Sequence, residues 1–360
     1  MSRRIVPFWF PNRGCPGRCT YCNQSHSKAE ALLVVTPEEM EERLQEAARG
    51  AEGQFPVEVA LFGGTFTGWP IPQQEMYLEA IQRLLAKGVI EAARVSTHPS
   101  LVGEEALRRL ADHGVTTIEL GIESLDDGVL SLANRGHDGQ GAVEALRRCR
   151  EFGFEVVGQL MPFLPGSSER SDVESVLGVC QCAPDALRLF PTVVLDGTEL
   201  EAMWRRGEYL EASVDEGAIR CGKLAVMAEE AGVPVVRMGL QDGCDVRPHV
   251  LAGPYHPAFG ELARIEMVAS LLARASKASA SIVDLSVDER LASLAAGHGK
   301  RLLSRLSTLR PEVDWRIETV GFAGNEGWRV IWRGSHFALA ARGRAGGRSF
   351  RLMAAHRVAK

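Results

Sequence analysis

No stretch of this sequence is apolar for long enough to cross a membrane, and the opening segment MSRRIVPFWFPNRGC is interrupted by proline and charge within a few residues. Neither a signal peptide nor a membrane span is expected, and the cytoplasm is the expected compartment. Internal repeats and low-complexity tracts are also missing, so no segment is set aside as unable to fold. Net charge is small, −5 over 360 residues, with 45% hydrophobic and 24% charged side chains. That balance belongs to an ordinary folded chain, and the length favours a large body with a smaller appendage. In a reducing compartment, eight cysteines are poor material for a disulfide framework. Three of them fall within Cys15–Cys22, and a group that close reads as a metal or redox site.

Charge is small in sum but unevenly spread. Of 41 basic and 46 acidic residues, 13 and 4 respectively fall in Lys300–Lys360. A basic tail on an acidic body suggests a polyanionic partner such as nucleic acid; the alternative is a solvated basic face that offsets the body.

Up to about residue 195, short apolar runs alternate with amphipathic stretches of helical length, the pattern of repeated βα units. Six strands are expected: Ile5–Phe10, Val57–Phe62, Arg94–Thr97, Thr116–Ile122, Phe154–Met161 and Ala186–Val194. Thr36, Pro37 and Glu39 read as cap, first position and capping-box partner of a helix running to Arg49. Residues 196–275 read as a mostly helical extension with a strand near Val233–Met238. Residues 276–360 read as a small basic α+β domain in which one or two helices precede an antiparallel meander of Trp315–Val320, Trp328–Trp332, His336–Ala341 and Ser349–Met353.

The segment GCPGRCTYC spaces Cys15, Cys19 and Cys22 as C-x3-C-x2-C on a loop made tight by Gly14, Pro16 and Gly17. Three thiolates there can face one soft metal centre. A closed zinc site would need a fourth ligand, whereas a cubane held by three cysteines leaves one iron open. This spacing, with Tyr21 before the last cysteine and the loop following the first strand, resembles the radical S-adenosylmethionine superfamily. The resemblance implies an incomplete (β/α)6 TIM-like barrel over residues 1–195. It also implies a [4Fe-4S] cluster on Cys15, Cys19 and Cys22, with S-adenosylmethionine on the open iron. Reduction by a donor such as flavodoxin or ferredoxin would split the sulfonium into methionine and a 5′-deoxyadenosyl radical that abstracts a substrate hydrogen. A zinc loop is the alternative, separable by iron content.

Other motifs fall at strand ends, where parallel α/β folds place ligands. They are FGGTFTGWP with Gly63, Gly64 and Thr65, STHPS with Ser96 and His98, GIES with Glu123, and the Gln159–Met161 stretch, while Arg135 in NRGHD follows Glu123 by twelve residues. In this order they resemble the Elongator-like branch and, more distantly, anaerobic coproporphyrinogen oxidases. By that resemblance the Gly63–Thr65 loop touches the methionyl amine, while Glu123 and Arg135 hold the amino and carboxylate groups. Ser96 and Gln159 fall where the relatives present acidic groups to the ribose, and Tyr21 and Met161 complete the cofactor set. His98 stands where an arginine is usual. The stretch beyond Ser276 is too short for the acetyltransferase domain of that branch, so acetyl-CoA chemistry is not expected to carry over.

Cys244, Tyr255 and His256 lie on the turn-rich segment DGCDVRPHVLAGPYHP and are candidates for hydrogen-atom relay and general acid, against a structural role for the histidine. Cys149, Cys180 and Cys221 read as small buried apolar residues. Three functions stand. One is a radical enzyme acting on RNA, such as tRNA, with the basic tail docking it and Trp315, Trp328, Trp332 and Phe337 as stacking candidates. The others are a radical enzyme acting on a small metabolite or peptide, and a non-catalytic iron-sulfur or zinc adaptor.

Overall fold

The computed structural model describes residues 3–23, 35–50, 56–240, 247–275, 282–288, 292–320, 329–334, 337–343 and 350–356. In chain order, the first elements are β1 (Arg4–Trp9), α1 (Pro37–Gly50), β2 (Val57–Phe62), α2 (Ile71–Ala86), β3 (Ala92–Thr97), α3 (Glu104–Asp112) and β4 (Thr117–Glu123). There follow α4 (Asp127–Leu132), α5 (Gly139–Glu151), β5 (Glu155–Leu160), α6 (Glu169–Gln181), β6 (Ala186–Leu189), β7 (Val194–Leu195), α7 (Glu199–Arg205), α8 (Val214–Glu230), β8 (Val235–Met238), β9 (Val250–Ala252) and α9 (Phe259–Ala275). The remainder is β10 (Ile282–Asp288), α10 (Ala292–Leu309), β11 (Asp314–Val320), β12 (Arg329–Gly334), β13 (Phe337–Gly343) and β14 (Phe350–His356). Among the described residues no helix is long and apolar enough to cross a membrane.

Helix starts follow the expected capping chemistry. At α1 the Thr36 amide donates to Glu39 at 2.9 Å and the Glu39 amide to the Thr36 hydroxyl at 3.2 Å, the reciprocal box that satisfies two otherwise orphaned donors. Ser168 and Ser213 open α6 and α8 with the same box, while Asp126, Asp138 and Thr198 cap α4, α5 and α7 by accepting one backbone amide each.

Seven strands form one parallel sheet in the order β1-β2-β3-β4-β5-β6-β8, a half-barrel with helices on its outer side. The strand expected near Val233–Met238 forms as β8, and because it follows α8 as one more βα unit it joins the six expected strands as the seventh of the sheet. The expected single strand Ala186–Val194 is two pieces. Pro191 lacks the N–H that a ladder needs, β6 stops at Leu189, and β7 turns aside to pair antiparallel with β9.

Alternate strand residues divide between two faces. Val57, Val59, Leu61, Ala93, Val95, Ile118, Leu120, Val156, Leu187 and Leu189 join the core under the helices. The opposite, inner face carries charge. Arg94 binds Glu58 and Glu119, each at 2.7 Å, and Arg188 binds Glu119 at 2.8 Å. Such a buried ladder stiffens the wall only because every carboxylate in it is paired.

The C-terminal sheet has the order β11-β10-β12-β13-β14. The meander holds for β12 to β14, but β11 does not neighbour β12: β10 lies between, parallel to β11 and antiparallel to β12. The alternation in Ile282–Asp288, IVDLSVD, is a strand signal, and α10 is the crossover that parallel pairing with β11 requires. Leu302, Leu306, Val313 and Trp315 are buried in the main core, so Trp315 is a packing residue and not a base-stacking one. Trp328 lies outside the described residues, as do the side chains of Trp332 and Phe337. Glu266 on α9, 2% exposed, is bound by Arg301 at 3.3 Å and Arg305 at 2.6 Å. Two arginines of the basic tail are thus engaged with the acidic body.

Candidate active site

The cysteine loop leaves β1 through two left-handed residues, Asn12 and Gly14. A Cβ on Gly14 would stand 2.3 Å from the Thr65 carbonyl oxygen and 2.5 Å from the Trp69 ring, so only glycine allows the loop to lie on the FGGTFTGWP segment. The two are laced together: the Asn12 amide donates to the Gly63 carbonyl and the Thr65 amide to the Arg13 carbonyl, both at 2.8 Å. The Trp69 indole donates to the same Arg13 carbonyl at 3.0 Å. Gly64 is expected to admit a ligand, but its α-carbon is pressed to the loop, with an added Cβ only 2.4 Å from the Arg13 oxygen. Ser96, expected near a ribose, instead donates its hydroxyl to the Leu61 and Gly64 carbonyls at 3.3 and 3.1 Å. Both residues build the support of the cysteine loop.

The three thiols are half-buried and unbridged. Thr65 donates its hydroxyl to the Cys15 sulfur at 3.5 Å, Cys22 donates to Asn12 at 3.0 Å, and Arg135 donates to the Cys19 sulfur at 3.3 Å. Burial pushes the Cys22 thiol up to about 12, with Cys19 and Cys15 adding to the effect, and burial raises Cys15 as well. Three soft donors that oppose one another's ionisation fit a cationic iron-sulfur centre, whose charge reverses that penalty. Among the described residues no three His, Cys, Asp or Glu side chains converge on one point. A cubane, with one thiolate on each of three irons, does not ask for such convergence.

Opposite the loop, β4 ends in a bulge between Gly121 and Glu123, and Glu123 takes φ +65°. Its carboxylate, 4% exposed, accepts from the Gln159 amide at 3.1 and 3.2 Å and lies 3.8 Å from Arg135. Burial raises its pKa, while Arg135, Gln159 and the Tyr21 hydroxyl pull it down. Arg135, 8% exposed, reaches the Cys19 sulfur with one terminal nitrogen and the Gly121 carbonyl with the other. Its buried Nε has no partner among the described residues. Burial opposes its charge, but the phenol, carboxylate and thiol around it hold it well above the ordinary arginine value. Tyr21 and Met161 pack together on Val129, Ala133 and Leu164. The structure therefore brings together Cys15, Cys19, Cys22, Tyr21, Thr65, Glu123, Arg135, Gln159 and Met161.

One feature escapes sequence reasoning because it depends on a tautomer chain. The Ser100 amide donates to His98 Nδ1 at 3.2 Å, so His98 carries its proton on Nε2 and gives it to His137 Nδ1, also at 3.2 Å. His137 Nε2 then donates to the Ile122 carbonyl at 3.1 Å, directly before the left-handed Glu123. Burial, with Arg135 next in weight, lowers His98 to about 3 and His137 to about 4, so both rings are neutral near pH 7.

Three residues are expected as relay and general acid, Cys244, Tyr255 and His256. Cys244 lies outside the described residues. His256 accepts the Ala258 backbone amide on Nδ1 at 3.0 Å, and the backbone amide of Tyr255 donates to the Gly253 carbonyl at 2.8 Å. The same segment does approach the cysteine loop through another residue: Asp196 binds His249 at 3.2 Å and accepts from Asn23.

The Radical SAM superfamily profile matches residues 9–177, and that of the Radical_SAM C-terminal domain matches residues 184–269. A tRNA uridine(34) acetyltransferase of Dehalococcoides mccartyi is 32% identical over 228 residues, 54% of this chain and 50% of that protein. Elongator complex protein 3 of Danio rerio is 30% identical over 173 residues, 42% of this chain and 32% of that protein. The chain thus spans half or less of the length of these curated relatives. Among solved structures, archaeal Elp3 of Methanocaldococcus infernus superposes with a TM-score of 0.58 at 17% identity, over 99% of this chain and 83% of that one, and so shares its fold. Together the two consecutive profiles, the seven-stranded half-barrel and the strand-end cysteine loop identify the chain as an enzyme of the radical SAM superfamily.

Proposed function

We propose that Cys15, Cys19 and Cys22 hold a [4Fe-4S] cluster, that the chain cleaves S-adenosylmethionine there, and that the group acted on belongs to RNA, tRNA being the favoured class. Once bound and reduced, the cluster supplies the electron that splits the sulfonium into methionine and a 5′-deoxyadenosyl radical. The protein's part is to hold and to shield. Arg135 is the observation that carries the reading: a buried, permanently charged fork that touches the Cys19 sulfur and faces Glu123, with one donor left over for a carboxylate. Glu123, held between Gln159 and Arg135, is the acceptor for an ammonium. Tyr21 and Met161 close the apolar side and exclude water.

The RNA assignment is supported by the sequence likeness to tRNA uridine(34) acetyltransferases and by the basic residues after Lys300. A small-metabolite or peptide substrate is the second reading, favoured by the engagement of Arg301 and Arg305 with Glu266. Anaerobic reconstitution followed by reduction, with a ferredoxin or flavodoxin as the protein donor, tests both. About four irons per chain and 5′-deoxyadenosine formation are expected, with stimulation by a tRNA fraction rather than by a metabolite pool. A zinc-loaded, iron-free protein, or one that makes no 5′-deoxyadenosine, would overturn the assignment.

A further inference from the structure

Glu123, the acceptor assigned above to an ammonium, stands on strained backbone. Its φ of +65° lies in the left-handed region, which a non-glycine residue keeps only where its surroundings enforce it. The Ser124 amide donates back to the Ile122 carbonyl at 2.9 Å, so Glu123 is the centre of a three-residue turn of the uncommon positive-φ kind. Ile122 is the extra residue of the β4 bulge: Gly121 pairs with Gln159 and Glu123 with Leu160, which leaves Ile122 without a place in the β5 ladder. Its carbonyl lies in a buried stretch and needs partners from elsewhere. His137 Nε2 supplies the second, at 3.1 Å. The preceding carbonyl, of Gly121, receives Arg135, so one turn, residues 135–137, holds two successive carbonyls of β4. Gly136 between them takes φ +60°, a conformation that glycine adopts without strain.

A neutral ring that donates from Nε2 keeps Nδ1 as an acceptor, and the groups behind His137 enforce this. His98 Nδ1 accepts from the Ser100 amide at 3.2 Å and lies 2.8 Å from the Ser100 hydroxyl, which turns the His98 Nε2 proton toward His137 Nδ1, 3.2 Å away. The rings meet at 80°, with centroids 4.8 Å apart. Both nitrogens of His137 are thereby engaged, so it acts through the backbone and not on a ligand. We propose that His137 is a positioning residue: held in one tautomer by Ser100 and His98, it fixes the turn that aims the Glu123 carboxylate at the amino group of S-adenosylmethionine. The proposal rests on the cofactor reading above and adds that recognition of the ammonium depends on a ring that does not touch the cofactor. Its consequence is selective. Loss of the Nε2 donor lets Glu123 relax from its left-handed backbone and swings the carboxylate away, while the cysteine loop stays tied to Arg135 and Thr65.

The test is calorimetric binding to the full chain, reconstituted anaerobically and kept oxidised so that the ligand is not cleaved. Two ligands are compared, S-adenosylmethionine and its analogue lacking the α-amino group. His137→Leu is expected to raise the Kd for S-adenosylmethionine about tenfold, the lower end of what groups behind a metal site's contacts cost. The same change is expected to alter the Kd for the analogue by less than about twofold, and iron per chain should match the parent. His137→Gln, whose amide can still donate to Ile122, is expected to recover most of the affinity. In a Glu123→Gln background His137→Leu should add less than about twofold, because the two residues act as one unit. Equal losses for both ligands, or full additivity with Glu123→Gln, would overturn the proposal and leave the cofactor reading standing. A parent chain that carries its iron yet binds neither ligand would bring down both. Should the leucine variant fail to fold, nitrogen-15 histidine spectra of the oxidised parent, assigned with His137→Gln, decide instead. A proton on His137 Nε2 is expected at pH 7, and one on Nδ1 would remove the donor on which the proposal stands.

Discussion

The guanidinium of Arg135 donates to the sulfur of Cys19 at 3.3 Å, joining the cysteine loop after β1 to the turn after α4. The contact is supported on both sides: the Asn134 side-chain Nδ2 donates to the Arg18 carbonyl at 2.7 Å, and the Thr20 backbone amide to the Ala133 carbonyl at 3.1 Å. Arg135→Lys keeps a charge but loses the fork. It is expected to lower 5′-deoxyadenosine formation by about 10- to 100-fold, the usual cost of disturbing groups just outside a metal's ligands. Iron content should stay near that of the parent. Activity within twofold of the parent would show that Arg135 serves packing alone.

The contact of Gly64 with Arg13 gives a steric prediction. The obstacle is backbone oxygen at 2.4 Å, which cannot swing aside as a flexible side chain would. Gly64→Ala is expected to destabilise the fold on the order of 2 kcal/mol and to reduce iron uptake. Gly17→Ala, in the cysteine loop that Gly64 presses against, meets nothing within 4 Å and serves as the control. Denaturant midpoints and iron per chain for the two variants decide the matter.

The His98–His137 pair makes stability depend on pH in a direction that can be worked out. Unfolded histidines titrate near about 6.5, whereas the folded rings resist protonation down to about 3 and about 4. Between these limits the unfolded chain binds more protons, so stability is fully present above about 6.5 and falls as pH drops through the window. Asp172, raised to about 6 by burial, acts in the opposite sense between its folded and unfolded values. The informative quantity is therefore the difference between the parent and His137→Gln. Urea midpoints from pH 7.5 to 4.5 should fall less steeply in the variant, and parallel curves would remove the pair as the cause.

Much of this arrangement is legible in residue order. The C-x3-C-x2-C spacing, the glycines around it, the strand-end position of Glu123 and Arg135 twelve residues beyond it all point to one mouth. The capping box at Thr36 forms as its chemistry requires. The features that are not legible depend on contacts distant in sequence. The bulge that turns Glu123 toward Arg135 is a property of the β4–β5 register. Ser96 binds the Gly64 carbonyl because β2 and β3 are neighbours, and no local signal distinguishes that role from ligand binding. β10 is hidden because Ile282–Asp288 stands close to helical stretches on both sides, although its alternation has the period of a strand.

The basic tail offers a last discrimination, between docking of nucleic acid and docking of the body. Arg305 binds Glu266 at 2.6 Å, and Glu266 is 2% exposed, so removing the arginine leaves a buried carboxylate with the longer contact to Arg301 alone. Arg305→Gln is therefore expected to destabilise the fold by roughly 1 to 3 kcal/mol, the penalty for an undercompensated buried charge. A phosphate contact would have a different signature. Each one lost lowers the slope of log K against log salt by about one unit. The expected outcome is a lower unfolding midpoint with an unchanged salt slope for RNA binding. A slope smaller by about one at unchanged stability would mean that Arg305 releases Glu266 to meet the backbone of the RNA, and that the tail's charge belongs to the substrate.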